Sequence, residues 1–416
     1  MLVWIIFIHV LLGEASDQSS PFDEHGYCGR ARIPRYPGSR EDSELITVNA
    51  FFRHGIRADY RRTTCFPGGL QTSFNSSLST LFEINQSGLN ARDIELIKRY
   101  THGFEVGQLL DYAETQMDRL ARYLQDAYPT VYNGENLQNL FLRSTDVQRT
   151  LGSMNLLLKK LAGKASTQTF VVNTDDFEYD PLNLRCSDCP RASIIADSFT
   201  SSPEYKQVLI SDEYIDCANR WVSEIGTQLD ISQSFDCLAA PACANVPLPG
   251  GLVASDGLLQ CVSDLSLTLR RLRYGTPEGI EFCQLATYTF MRELIRNVES
   301  GISSLWATHD DTLVCILSAA GIWDGRWPKY ASFVNLETYK DGKIRIVWDG
   351  VPIALLENIS SLIMPGISKP GEYNKVCNEI HIGLVAPPKY DTPVGFTGIL
   401  LRTLCVFGLV GLAVVF

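Results

Sequence analysis

Three stretches of the chain share one polarity pattern: a short apolar run, a polar cluster at its end, then an apolar stripe at helical spacing. "ELITVNAFF" (Glu44 to Phe52) is a near-continuous β-branched and aromatic run. That is the pattern of a strand buried on both faces, and Arg53-His54-Gly55 closes it. "QNLFLRSTDVQRTLGSMNLLLKKLAGK" repeats the design, with Arg143 at the strand end and Ser144-Thr145-Asp146 as expected helix-capping residues. Its helix carries Val147, Leu151, Met154 and Leu158 on one face, and Gly163 stands where a helix stops. In "GISSLWATHDDTLVCILSAAG" the strand is Ile302 to Ala307, the turn His309-Asp310, the helix Thr312 to Ala320 and the stop Gly321.

Such units predict an α/β fold with a mostly parallel sheet flanked by helices. Ligands in these sheets bind outside the carboxyl ends of the strands. Arg53, His54, Arg143, His309 and Asp310 are therefore expected to converge, although they lie far apart in the chain. "FVNLETYKDGKIRIVW" adds a hairpin turning at Asp341-Gly342.

Between residues 171 and 289 the character changes, with dense cysteines, a Pro/Gly-rich stretch and helical patches. This reads as an inserted, disulfide-rich helical cap, leaving a discontinuous core at 44–170 and 290–380. Seven cysteines from Cys186 to Cys283 are expected to staple that segment, whereas Cys315, in an apolar run, reads as a buried free thiol. Cys186-Ser187-Asp188-Cys189 has the spacing of half a zinc ribbon, but no second Cys-x-x-Cys follows and no histidine pair stands at ligand spacing. No metal is expected.

The ends are apolar. Residues 1–15 read as a signal peptide ending in small residues, though no basic residue opens it. Sequons at Asn75, Asn85 and Asn358 agree with glycosylation in the secretory pathway. Residues 394–416 form a nearly unbroken apolar stretch, which suits either a transmembrane helix or a GPI signal. The expectation is a membrane-attached protein at the cell surface, outside the cell or in the lysosome.

Composition is that of a globular protein, with 45% hydrophobic and 20% charged residues. A net charge of -11 argues against nucleic acid as a partner. The arginines of "FFRHGIRADYRRT" are therefore a local exception in an acidic chain. Arginines converging on one pocket offer planar forks that match phosphate oxygens. A neutral imidazole is a nucleophile, and an Asp beside a second His can protonate a leaving oxygen. Together these parts suggest phosphoryl transfer. A serine esterase is disfavoured because no Gly-x-Ser-x-Gly elbow is present.

"FRHGIRA" resembles the signature of the histidine acid phosphatase family, "LRSTDVQRTLGS" its second motif and "ATHDDTL" its His-Asp pair, in the family's order. The helical stretch from Gly107 to Pro129 and "PKYASFVNLETY" are similar to further family segments, so the likeness runs from about Glu44 to Cys377. The resemblance implies an acid phosphatase in which His54 accepts the phosphoryl group, Arg53, Arg57, Arg143 and His309 grip it, and Asp310 protonates the leaving alcohol. It implies no cofactor, a small phosphorylated substrate and, as in many relatives, a homodimer. Neighbouring arginines should keep His54 neutral in acid, while acid favours a protonated Asp310, so best activity is expected below neutrality. Four departures stand out: Asp59 replaces the motif's proline, Leu110 and Ala113 replace Thr and Gly, Phe333 stands where relatives carry a cysteine, and Asp311 crowds Asp310. The alternative reading is a catalytically weak surface protein of the same fold that binds phosphorylated or anionic ligands.

Overall fold

The computed structural model describes residues 22, 26–59, 65–70, 72–74, 107–134, 136–163, 170–175, 177, 179–184, 186, 188–363, 367 and 370–379. The expected signal peptide, the sequons at Asn75 and Asn85, Arg61, Arg62 and the apolar stretch 394–416 lie outside the described residues. Among those described, no helix is long and apolar enough to cross a membrane.

In chain order the elements are β1 (Leu45–Arg53), α1 (Tyr112–Ala127), β2 (Phe141–Ser144), α2 (Gln148–Ala162), α3 (Pro190–Ser198), α4 (Pro203–Leu209) and α5 (Asp212–Ile225). They continue with α6 (Ile231–Ala244), α7 (Asp256–Gly275), α8 (Pro277–Glu299), β3 (Ser304–Thr308), α9 (Asp310–Ala319), β4 (Phe333–Tyr339), β5 (Ile344–Trp348), β6 (Val351–Leu356) and α10 (Pro370–Asn378). The sheet runs β2-β3-β1-β4-β5-β6. The strands of the three strand-turn-helix units are parallel, as their polarity pattern predicts. β4, β5 and β6 continue the sheet antiparallel, so it is mixed rather than mostly parallel. The expected hairpin forms β4 and β5, and Gly342 takes a left-handed φ of 85° in its turn.

Alternation along the strands feeds two apolar layers. Val48, Ala50 and Phe52 of β1 join Met117 and Leu120 of α1 and Met154 and Leu157 of α2 on one face. Phe51 and Trp306 join Phe290 and Met291 of α8 and Leu313 and Leu317 of α9 on the other. Phe333 is fully buried against the Tyr123 ring, with centroids 4.8 Å apart, filling its place with an aromatic contact. Expectation fails at the start of α2, where Val147 is the N-cap and no side chain caps the helix. Thr145 instead turns inward, because its hydroxyl finds a partner across the sheet.

Five disulfides join described residues, and only Cys217–Cys261 closes within the segment 171–289. Cys28–Cys243, Cys65–Cys237, Cys189–Cys377 and Cys283–Cys315 tie it outward. The expected internal stapling is thus mostly stapling of the helical segment onto the α/β layers. Cys315 is not a free thiol, since packing of α9 on α8 brings it to Cys283.

Candidate active site

β1 leaves the sheet at Arg53, whose register partner in parallel β3 is Thr308. One further ladder bond, from His54 N–H to the Thr308 carbonyl at 3.1 Å, sets His54 level with His309. The two buried rings lie 5.6 Å apart between centroids. The loop after His54 packs on α1 so closely that a Cβ at Gly55 would come within 2.6 Å of the Ala113 Cβ. Only glycine fits there, which explains the third residue of the triplet.

Hydrogen bonding fixes the state of each imidazole. His54 Nδ1 lies 2.8 Å from the Gly55 carbonyl. A carbonyl only accepts, so Nδ1 carries the proton and Nε2 keeps its lone pair. The Thr150 hydroxyl donates to the carbonyls of Thr145 and Val147. Thr145 Oγ1 lies 2.8 Å from it and 3.0 Å from His309 Nε2. The consistent chain runs from His309 Nε2–H to Thr145 and from Thr145 to Thr150. His309 Nδ1 then presents a lone pair, with Arg149 Nη2 3.5 Å away.

Burial pushes the His54 pKa well below the usual histidine value, and Arg149, Arg53, Arg57 and His309 push it in the same direction. His309 is lowered by burial and Arg149 likewise, although Asp310 opposes. Both shifts favour the neutral imidazole.

Arg53 is fully buried, stacked on Tyr330 at 4.2 Å and Tyr27 at 4.9 Å. It donates to the Pro328 carbonyl and the Tyr27 hydroxyl, and its Nη2 lies 2.9 Å from Asp310 Oδ2. Trp327 Nε1–H donates to that same Asp310 oxygen at 3.0 Å. Burial alone would raise the Asp310 pKa, but Arg53 and Arg270 outweigh it and hold the carboxyl low. Asp311 moves the other way, through burial and the charge of Asp310. Asp310 is therefore ionised in the resting site, against the expectation that acid alone would protonate it. Arg57 is gripped by Asp236 of α6 through two contacts of 3.1 Å.

No family model matches the chain. It is 24% identical over 382 residues to counting factor 60 of Dictyostelium discoideum, covering 82% of this chain and 86% of that one. It is 26% identical over 336 residues to lysophosphatidic acid phosphatase type 6 of Homo sapiens, covering 73% and 76%. The phytase of Klebsiella sp. ASR1 has the same fold, with a TM-score of 0.50 at 12% identity over 75% of this chain and 83% of that one. The motifs in order, the paired histidines at the strand ends and these relatives agree. They support the histidine acid phosphatase family as the chain's relatives.

One residue expected at the site lies elsewhere. Arg143 does not face the histidines: it is buried with Nη2 2.6 Å from both Asp180 Oδ1 and Asp175 Oδ2. Strand alternation is the reason. Leu142 of β2 joins the apolar layer of α1 and α2, so Arg143 points to the opposite face. Arg149, in the first turn of α2, stands beside His309 instead. A sequence signal existed: a helix following a parallel strand points its first turn back at the strand ends. There, Arg149 is a charged residue within the first turn.

Asp59 is half-buried, and burial with the nearby Asp236 raises its pKa to about 6, against the pull of Arg57. Asn358 is exposed, as a glycosylation site requires. Among the described residues no cluster of three or more His, Cys, Asp or Glu could hold a metal ion.

Proposed function

We propose that the chain is an acid phosphatase that hydrolyses phosphate monoesters through a phosphohistidine at His54. One observation carries the reading: a neutral His54 with its Nε2 lone pair available, ringed by the charges of Arg149, Arg53 and Arg57. Nε2 attacks phosphorus, a P–N bond forms and the P–O ester bond breaks. Arg53, Arg57 and Arg149 stabilise the transferring oxygens, and His309 positions Arg149 through the lone pair on its Nδ1. Arg143 is assigned to the fold, and its place in the phosphate grip passes to Arg149.

The leaving oxygen needs a proton, and resting Asp310 has none. A bound phosphate draws Arg53 away from Asp310 and adds negative charge, both of which raise the carboxyl's pKa. Below pH about 6 the ester itself arrives carrying one proton. That proton passes to Asp310 and on to the leaving alcohol. Asp310 then accepts a proton from water as it attacks the phosphohistidine, releasing inorganic phosphate.

The test is hydrolysis of p-nitrophenyl phosphate at mildly acidic pH by wild type and His54→Ala, with acid quenching to trap a base-stable, acid-labile phosphoprotein. Turnover and trapped label in wild type alone are expected. Equal, near-zero turnover in both proteins would favour a weakly active phosphate-binding protein, a reading that the Asp236 hold on Arg57 supports.

The disulfides accord with an oxidising compartment, and we place the protein in the secretory pathway. Cleavage of residues 1–15, glycosylation at Asn75, Asn85 and Asn358 and membrane attachment through 394–416 complete the proposal on the sequence pattern alone. Homodimerisation rests on the family resemblance.

A further inference from the structure

Arg270 of α7 presents a cation that the phosphate chemistry does not use. Its guanidinium stacks on Phe235 of α6 at 4.3 Å and on Trp327 at 4.2 Å. Both contacts are to ring faces, which bind the cation without taking up its N–H donors in ordinary hydrogen bonds. Unlike Arg53, Arg57 and Arg143, it forms no ion pair or hydrogen bond among the described residues. Burial lowers its pKa, with Tyr27 and Asp310 pulling it back up. An arginine nonetheless stays charged. A partly dehydrated guanidinium that has the charge of Asp310 nearby but no ion pair or hydrogen bond of its own costs free energy that an arriving anion recovers.

Its position tells which anion. The Trp327 ring that stacks on Arg270 also donates its Nε1–H to Asp310. Phe235, on its other contact, precedes the Asp236 that holds Arg57. Arg270 therefore stands beside the carboxyl that serves the leaving oxygen, where the alcohol part of a substrate must lie.

We infer that Arg270 is a specificity-determining residue that binds a second anionic group, a carboxylate or a second phosphate, on the alcohol part of the substrate. This rests on the phosphatase reading and on Asp310 facing the leaving group. The preferred substrate is then a phosphate monoester with an anion a few bonds from its ester oxygen, and neutral alcohols are poorer leaving groups for this site.

The experiment measures kcat/KM for phenyl phosphate against 2-, 3- and 4-carboxyphenyl phosphate, and for propyl phosphate against 1,3-propanediol bisphosphate. The proteins are wild type, Arg270→Leu and Arg270→Lys. The readout is the ratio within each pair, which does not depend on the fraction of folded enzyme. The best anionic partner should lose about tenfold in that ratio in Arg270→Leu, and Arg270→Lys should keep part of it. The two pairs separate a carboxylate preference from a phosphate preference. Unchanged ratios in Arg270→Leu, with phenyl phosphate still hydrolysed by wild type, would overturn this inference alone. Absence of phenyl phosphate turnover in wild type would overturn it together with the phosphatase reading.

Discussion

Asp236 holds Arg57 fork to fork, with each guanidinium nitrogen 3.1 Å from a different carboxylate oxygen. A phosphate that needs Arg57 must share it with a residue brought in from α6. Asp236→Asn keeps one accepting oxygen and removes a negative charge next to the incoming dianion. Inorganic phosphate should bind about five- to tenfold tighter in that variant, read as its competitive inhibition constant. An unchanged constant would mean that Arg57 does not touch the phosphate.

Arg149 and Arg143 should separate cleanly. Arg149→Met should lower kcat/KM for an aryl phosphate by about a hundredfold, as loss of one donor to the transferring oxygens does. Arg143→Met should instead cost about 3–5 kcal/mol of stability in urea, because Asp180 is left buried without its partner. Equal kinetic loss in both variants would return Arg143 to the site.

The Arg149 charge also lowers the His54 pKa, second only to burial. Its removal should let His54 protonate at higher pH. The acidic limb of the kcat/KM profile should therefore shift upward in Arg149→Met, and a limb that stays in place would count against His54 as the neutral nucleophile.

Stability against pH sets two kinds of group in opposition. His54 and His309 have folded pKa values below the unfolded value, so the unfolded chain binds their protons first and stability falls below pH about 6.5. Asp59 and Asp180, each at about 6, are raised, chiefly by burial. The folded chain binds their protons first, which contributes stability below the unfolded carboxyl pKa and loses it as pH rises through about 6. Between pH about 4 and 6 the two effects oppose each other. The urea midpoint of wild type should change little across that window, whereas Asp59→Asn should lose stability on acidification. The residue that breaks the family's proline position then acts as a proton-binding group of the folded state.

Glu337 on β4 offers a prediction away from the site. It is fully buried, and its oxygens accept from the hydroxyls of Tyr36, Tyr128 and Tyr339 while Arg345 supplies the counter-charge. Glu337→Ala should cost about 3–5 kcal/mol in urea denaturation by leaving Arg345 without its buried partner. A loss under about 1 kcal/mol would show that the tyrosines satisfy one another.

The strand ends were legible because an apolar run closed by polar residues is a local pattern, and parallel pairing brings such ends together without further information. His54, His309, Arg53 and Asp310 followed directly. Arg143 misled because a strand places successive side chains on opposite faces, and the side facing the histidines depends on which layer Leu142 joins. Cys315 misled because its partner, Cys283, sits on a different helix, and an apolar run looks the same with or without a bridge. Asp236 and Arg270 carried no signal: each is one polar residue in an amphipathic helix, and only the folding of the cap over the strand ends gives it a role.

Helix α6 is fastened at its middle by Cys65–Cys237 and near its C-terminal end by Cys28–Cys243. Just before the first of those bonds it carries Phe235 against Arg270 and Asp236 against Arg57. Enzymes that close a lid over substrate spend part of each cycle opening it again. Here that wall is a covalent fixture, so selection among substrates falls to the shape and charge already present before binding. Reduction of these two bonds would turn a lock into a hinge, and the loss should appear as broadened substrate preference before it appears as unfolding.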